Sequence, residues 1–494
     1  MLKLNYNKLN DNKLNYNKLG FKCGLEIHGQ LDTGKLFCRC PSKVKGENKD
    51  YIIKRKIIAS KGETGEIDIA ATYQMEKNKI FSYSGDRTLT CLVELDEEPP
   101  REVNQDAINV ALQIAKLMKC SFVEDIKVMR KIVVDGSNVS GFQRTMLIGL
   151  DGEIKTSKGK IKIDTLCLEE ESAQKVRSTR SEVEYSLDRL GVPLLEIATD
   201  SSIKNPEHAK ECAEIIGMMI KSTGKMRRGI GTIRQDVNVS VEGHPRVEIK
   251  GFQDLKNIKF TIEKEVERQL REIENRKRTG KIILSSVRNA KSDGSTIFLR
   301  PMPGAGRMYP ETDVSTISPD LENIKIPKLI SDEKEEIQKL GLGEDLAKLI
   351  AKEGKANMLL EFSNKFKNIK PSFIAETILP TMKELKREGY DIKIINSKNN
   401  EILERIFSKL NQSQISKNSI ITILKSVCEG KDLDKVLSEN RNIDDYELED
   451  KIKKIINQNK EGSFNVLMGI AMKELRGKAD GKKISDLIKK FSSS

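Results

Sequence analysis

Gly24-Leu25-Glu26-Ile27-His28 reads as a strand, and Glu26 and His28, two residues apart, are expected on one side of it. A carboxylate and an imidazole on one face can share a metal or a substrate, although in an apolar setting they also describe a satisfied core pair. His28 is one of only three histidines. Far downstream, Arg300-Pro-Met-Pro-Gly-Ala-Gly-Arg-Met-Tyr-Pro-Glu-Thr-Asp313 closes a segment that gathers further carboxylates, arginines and glycines into local clusters. The bracketing points to one composite active site.

Between these stretches short β-branched runs mix with a few amphipathic helices. Strands are expected over residues 126–134, 159–168 and 237–249, and helices over 104–118, 206–223 and 255–278. The class is α+β, because strands and long helices do not alternate regularly as they would in a doubly wound parallel sheet. Residues 1–20 repeat Leu-Asn-Tyr-Asn-Lys-Leu in an Asn-rich setting and read as a flexible tail. Residues 317–328, with Pro319 and Pro327, read as an extended linker into a half with helical periodicity almost throughout. Ser331 caps the first of its helices ahead of an acidic turn, and Ser372, Ser416 and Asp444 mark later starts, giving a helical bundle or a pair of them.

A chain of 494 residues calls for two or three domains, each with its own core. Against 74 acidic residues stand 87 Lys and Arg, a net charge of +13 that favours a polyanionic partner such as nucleic acid. A diffuse lysine excess also follows from an AT-rich coding sequence. Eight cysteines in so long a chain make no disulfide framework, and no leader pattern opens the sequence, so a cytoplasmic protein with reduced thiols is expected. No apolar run approaches the roughly 20 residues of a membrane helix.

Glu169-Glu170-Glu171 follows an apolar strand, where a run of acids commonly begins a solvated helix. Shortly after, Asp188-Arg-Leu-Gly-Val-Pro-Leu-Leu-Glu196 sets an acid into an apolar strand, and a buried Glu196 needs a partner. If Glu26, His28, Glu169 or Glu170, and Glu196 converge, they form a hard, oxygen-rich site suited to Mg²⁺. Arg227-Arg-Gly-Ile-Gly-Thr-Ile-Arg-Gln-Asp-Val-Asn238 supplies arginines for phosphate and glycines for close backbone approach. No Gly-x-x-x-x-Gly-Lys-Ser/Thr occurs, which sets aside a P-loop NTPase. Cys38 and Cys40 could begin a zinc site with Cys91 as third ligand, but the second close cysteine pair of a four-cysteine site is missing.

Four stretches carry a wider pattern: Gly24-Leu-Glu-Ile-His-Gly-Gln-Leu-Asp-Thr-Gly-Lys-Leu-Phe-Cys-Arg-Cys-Pro-Ser42, Gly191-Val-Pro-Leu-Leu-Glu-Ile197, Gly229-Ile-Gly-Thr-Ile-Arg-Gln-Asp-Val-Asn-Val-Ser240 and Arg246-Val-Glu-Ile-Lys-Gly251. Together they closely resemble the GatB/GatE family, the kinase and transamidase subunits of tRNA-dependent amidotransferases. The wording of the third stretch and of residues 302–313 resembles the archaeal GatE branch rather than the bacterial-type GatB branch. The resemblance runs from about Phe21 to the end.

It implies an ATP-dependent ligase that converts glutamate misacylated onto glutamine tRNA into glutamine through a γ-phosphoryl-glutamyl-tRNA intermediate. A carboxylate is a poor acyl donor until its oxygen becomes a good leaving group, and Mg²⁺ neutralises the phosphates in such a transfer. Glu26, His28, Glu169, Glu170 and Glu196 match the family's acidic and metal positions, of which Glu26, His28, Glu170 and Glu196 carry the catalytic expectation. Arg189, Arg234, Asp236, Asn238, Glu248, Lys250, Arg307, Tyr309 and Glu311 are the corresponding substrate- and nucleotide-binding set.

The implied architecture is a cradle domain over 21–325, a helical domain over 326–400 and a YqeY-like helical tail over 401–494. Lys473, Arg476, Lys478, Lys482 and Lys483 form a basic turn in that tail suited to gripping tRNA. A solvated helix end would look the same. The chain shows no amidase signature of its own, so ammonia is expected from a partner, the asparaginase-like amidase GatD. The alternatives are a GatB-type role alongside GatA and GatC, accepting aspartyl- as well as glutamyl-tRNA, and a tRNA-binding module without catalysis. One departure stands out: the GatE branch normally carries an inserted domain between the strands near Leu284 and Arg300, and here only residues 285–299 span that gap.

Overall fold

The computed structural model describes residues 14–43, 49–62, 65–252, 254–304, 308–396, 400–442, 445–459, 462–475, 479 and 481–492. The chain divides into two compact units, the first ending at Leu329 and the second beginning at Ile330.

The first unit carries strands β1 (Lys22–Gln30), β2 (Tyr51–Arg55), β3 (Ile80–Gly85), β4 (Ser121–Phe122), β5 (Val128–Ile132), β6 (Phe142–Thr156), β7 (Gly159–Glu170), β8 (Gln174–Ser178), β9 (Glu182–Ser186), β10 (Pro193–Thr199), β11 (Ile233–Ser240), β12 (Val247–Phe252), β13 (Ser286–Ala290), β14 (Thr296–Pro301) and β15 (Met308–Pro310). Eleven of them build one sheet in the order β14-β13-β12-β11-β1-β10-β7-β6-β5-β15, with β4 paired to β6. The other four form a smaller sheet, β2-β3-β9-β8.

Alternation along β1 explains its place near the middle of the large sheet. Leu25 and Ile27 are fully buried, whereas Glu26 and His28 turn to the other face and stay partly open. Leu195 and Ile197 of β10 and Val237 and Val239 of β11 continue the apolar face. Helices α1 (Ile69–Met75), α2 (Gln105–Leu117), α3 (Pro206–Lys221) and α4 (Lys256–Thr279) belong to this unit, and the last three cover the apolar face. Ile108, Leu112, Ile216, Ile220, Ile258 and Ile262 fill the layer between, each burial contributing roughly 1.5–3 kcal/mol.

Asn104 and Asn205 start α2 and α3 by accepting from the backbone N–H of Ala107 and His208, caps worth about 1 kcal/mol each. Gly280, at φ 71°, ends α4 in the left-handed region that a side chain would resist. The polar face opposite the helices is thereby left as the floor of a cleft.

Two expectations change. Residues 237–249 form not one strand but the antiparallel pair β11 and β12, because Gly243 (φ 84°) and Pro245 turn the chain after Ser240. The second repeat of the supposed tail, from Leu14 to Gly20, is a series of turns in which Leu14, Tyr16 and Leu19 pack on the main core. Tyr16 meets Phe21 edge to face at 5.0 Å, and Leu19 O accepts from Glu242 N at 2.9 Å, so three apolar side chains suffice to dock an Asn-rich stretch. Residues 1–13 lie outside the described residues. Strands β13 and β14 meet in a tight hairpin closed by Lys291 N donating to Ser295 O at 2.8 Å, with Gly294 at φ 77°.

The second unit is helical and holds two separate apolar cores, one drawn from residues 337–437 and one from residues 448–488. The latter joins helices Asp445–Gln458, Phe464–Leu475 and Gly481–Ser492. Lys473 is exposed near the end of one, and Lys482 and Lys483 are exposed at the start of the next. Arg476, Lys478 and the expected helix start at Asp444 lie outside the described residues. No helix among the described residues is long and apolar enough to cross a membrane.

Candidate active site

The polar face of the large sheet forms a cavity of about 790 Å³ whose floor is a lattice of cross-strand neighbours. His28 stands opposite Glu196 of β10 on one side and Arg234 of β11 on the other, and Glu26 stands opposite Asp236. Glu248 of β12 lies across from Asn238. Because these strands are adjacent and share a face, residues more than 200 positions apart become side-chain neighbours.

His28 Nε2 lies 3.3 Å from Glu196 Oε2. Burial works against a charged His28, but the hydrogen bond and charge of Glu196, with Asp236, outweigh it and raise its pKa. Burial likewise opposes ionisation of Glu196, yet Lys131 at 3.5 Å and His28 hold it well below the ordinary carboxylate range. Glu26 is pushed up by burial and by the carboxylates of Glu248 and Glu196. Asn238 Nδ2 donates to Glu26 Oε1 at 2.9 Å, and Lys250 Nζ sits 2.5 Å from both Asp236 and Glu248.

Glu26, His28 and Asp236 each present a ligand atom within 4.8 Å of the others. Two carboxylates and one imidazole are a donor set for a hard divalent cation, and a cation there would relieve the charge that raises Glu26. The buried Asn238 Oδ1, which has no hydrogen-bond partner, offers another oxygen nearby. The residues therefore fit Mg²⁺ better than a softer metal.

Residues 21–325 match the GatB/GatE catalytic domain over their whole length, and residues 358–491 match the GatB domain. The chain belongs to the GatB/GatE family. Its relatives include the glutamyl-tRNA(Gln) amidotransferase E subunit of Methanocaldococcus jannaschii, 34% identical, with 99% of each chain covered. That of Methanococcus vannielii is 35% identical, covering 94% of this chain and 96% of its own. That of Archaeoglobus fulgidus is 32% identical, with 95% and 98% covered. The alignment to the first spans 638 positions, more than the 494 residues here, so that relative has long stretches without a counterpart.

Set on this geometry, the residues singled out from the family motifs separate into two groups on opposite faces of the sheet. Glu26, His28, Glu169, Glu196, Arg234, Asp236, Glu248 and Lys250 all line the cavity, and Asn238 joins them through Glu26. Glu169 is fully enclosed there by Lys131 Nζ and by Thr145 Oγ1, which donates at 2.7 Å, so it is a neighbour of the cation-ready trio rather than one of its atoms.

Glu170 is a correction. The run Glu169-Glu170-Glu171 ends β7 and enters the interior instead of opening a helix, and strand alternation sends Glu170 through the sheet to the opposite face. There it accepts from Arg144 Nη1 at 3.0 Å, away from Glu26 and His28, and cannot share their metal. Glu311 and Tyr309 belong to that side as well. Glu311 accepts from Arg144 Nε at 2.7 Å and Arg130 Nη2 at 2.5 Å, and the Tyr309 ring packs edge-on to Phe142 at 6.3 Å. Arg189 does not itself line the cavity: its guanidinium donates to the carbonyls of Ser172 and Ala173 at 2.8 and 2.9 Å, and the charges of Glu171 and Arg234 act on it. Arg307 lies outside the described residues.

Sequence reasoning missed Lys131, and it quoted Glu171 and Arg246 within their motifs without giving them a place in the site; the Arg300 of the downstream bracket also lines the cavity. Glu171 accepts from Gln30 Nε2 and pairs with Arg234, both at 2.8 Å. A lysine at position 131 amid the apolar residues of an expected strand was the available signal, since a buried ammonium needs carboxylates.

Proposed function

We propose that this chain is the transamidating subunit of a tRNA-dependent amidotransferase that converts Glu-tRNA(Gln) to Gln-tRNA(Gln). The supporting observation is the convergence of Glu26, His28 and Asp236 on one point of a polar cleft rimmed by Lys131, Arg234, Arg246, Lys250 and Arg300. ATP and Mg²⁺ would supply the phosphoryl group and the charge neutralisation that turn the glutamyl carboxylate into an acyl donor.

Glu26, His28 and Asp236 would hold the cation. Glu196 keeps His28 in place from the neighbouring strand, and Lys131 holds Glu196 ionised. Arg234, braced by Glu171, and the rim cations Arg246 and Arg300 provide donors for phosphate oxygens. Lys250, bound between Asp236 and Glu248, prevents those two carboxylates from repelling each other before the cation enters. The helical unit, read as a domain over 326–400 and a YqeY-like tail over 401–494, would carry tRNA on basic residues that include Lys473, Lys482 and Lys483. Ammonia would come from an asparaginase-like partner, GatD, in the cytoplasm.

The test is formation of Gln-tRNA and Asn-tRNA from the two misacylated tRNAs with ATP, Mg²⁺ and ammonium. Glutaminyl product alone is expected, and both products would favour a GatB-type enzyme. Asp236→Asn and Glu196→Gln should each cut phosphate release at least about 100-fold while tRNA affinity holds. Normal turnover in both variants would overturn the site assignment.

A further inference from the structure

The wall of the cleft between α1 and β14 ends in a strip of cations and aromatic rings that the carboxylate lattice does not use. Ala70, Ala71 and Gln74 of α1 and Arg300 of β14 line the cavity, and Asp68 Oδ2 accepts from Gly304 N at 2.6 Å, tying the start of the helix to the chain just after the strand. One step outward on the same two elements stand Tyr73 and Phe298, whose rings meet edge to face at 6.3 Å. Phe298 is 52% exposed, leaving aromatic surface open beside a polar cleft.

Lys77, just past the end of α1, lies over the Tyr73 ring at 4.4 Å, and its Nζ reaches Gln74 Oε1 at 3.0 Å. Lys79 Nζ reaches Ser178 Oγ at 3.4 Å and Thr179 O at 3.1 Å, at the end of β8, whose Lys175 is exposed. These partners are neutral, and among the described residues none of the three lysines forms an ion pair. Partial burial and the like charges of Lys79, Lys175 and Arg300 hold Lys77 below the ordinary lysine range, with Asp135 opposing them. Such a cluster is relieved by an anion that lies across it.

Cations strung beside open aromatic rings hold unpaired nucleotides, with phosphates on the charges and bases on the rings. We propose that the strip of Lys77, Lys79, Lys175, Tyr73 and Phe298 holds the single-stranded 3′ end of the tRNA and leads its aminoacyl ester into the cleft. The inference rests on the transamidation reading and names where its substrate enters. The glutamyl carboxylate must reach the cation-ready trio while its ester stays on the terminal ribose, so the nucleotides next in line lie on the rim. A mononucleotide, with its phosphates at the trio, has no further phosphates for Lys79 and for Lys175 on β8, an end strand of the small sheet. The unpaired end of a tRNA carries several in a row.

The first measurement compares the affinity of the full-length chain for intact tRNA(Gln) and for the same tRNA lacking its unpaired 3′ nucleotides. Truncation should weaken binding at least about fivefold. Lys77→Ala, Lys79→Ala and Lys175→Ala combined should weaken intact tRNA at least about tenfold and flatten the dependence of log affinity on log salt by about 2, at roughly 0.7 per phosphate contact on a single strand. Truncated tRNA should bind the altered and unaltered chains alike. Phe298→Ala should weaken intact tRNA alone, without the change in salt dependence. In ammonium-dependent amidation both variants should raise KM for Glu-tRNA(Gln), with kcat and KM for ATP within about twofold of the unaltered chain. Equal weakening toward truncated tRNA would place the lysines against another part of the tRNA, and a raised KM for ATP alone would make the strip a nucleotide subsite; either result overturns the proposal, as does unchanged affinity in both variants. An unaltered chain whose binding depends on the 3′ end but which forms no glutaminyl-tRNA would support the strip and count against the transamidation reading.

Discussion

Glu169 and Glu170 are chemically identical neighbours with opposite surroundings, and the strand's alternation assigns them. Glu170→Gln leaves Arg144 buried with one carboxylate instead of two, and is expected to cost about 3 kcal/mol of stability in urea unfolding. The Mg²⁺ dependence of phosphate release should not move; a raised Mg²⁺ requirement would return Glu170 to the metal site. Glu311 makes a pH prediction on the same face. Burial opposes its ionisation, but Arg130, the Asp313 N–H and Arg144 hold its carboxyl down at about 2, against about 4.3 for a free glutamate. A depressed folded pKa contributes stability that is whole above the unfolded value and disappears as pH falls through the folded one. Glu311→Gln should therefore be about 3 kcal/mol less stable at pH 7, with the gap narrowing between about pH 4.3 and 2. A constant gap in urea midpoints across that range would refute it. The sequence revealed Glu26, His28 and Glu196, because each interrupts an apolar strand. It did not reveal that Asp236, rather than Glu196, completes the cation-ready trio with Glu26 and His28, since only the sheet order places β11 beside β1.

At the scale of elements, β1 positions the site through what it lacks as well as what it bears. A Cβ on Gly24 would lie 2.8 Å from the carbonyl oxygen of Asp200, a backbone atom with no rotamer to give way. Gly24→Ala should cost about 1–3 kcal/mol and weaken catalysis by tilting Glu26, measured as a lowered thermal midpoint together with reduced kcat. An unchanged midpoint would show that β1 has slack. The helices over 104–118, 206–223 and 255–278 were legible to within a few residues, because an apolar stripe marks all three and an Asn cap starts the first two. The break between β11 and β12 was written in Gly243 and Pro245 but hidden by β-branched residues on both sides. That Glu94 lies within 4.8 Å of Cys38, Cys40 and Cys91 was illegible, since nothing local says that the segment after β3 returns to the loop after β1.

Across the whole molecule, the first unit and the helical unit bury separate sets of apolar residues, and heating should separate them. Calorimetry is expected to resolve at least two transitions, with Glu311→Gln lowering only the one belonging to the first unit. A single transition shifted as a whole would mean that the units melt as one. The change from mixed to helical pattern near the prolines at 319 and 327 made this division readable, whereas the two cores inside the helical unit have no comparable punctuation.

The β13–β14 hairpin lies at the rim of the large sheet, with β14 as its last strand. It takes up residues 285–299, the span in which the resemblance to the GatE branch implies an additional domain. A hairpin at a sheet margin is a socket: a module can be spliced in or pruned away there while the register of the inner strands, and with it the acidic lattice of the cleft, stays as it was. The lineage of this chain could thus shed or never acquire that module without rebuilding its catalytic half, and the same turn offers a graft site for an engineered RNA-binding attachment.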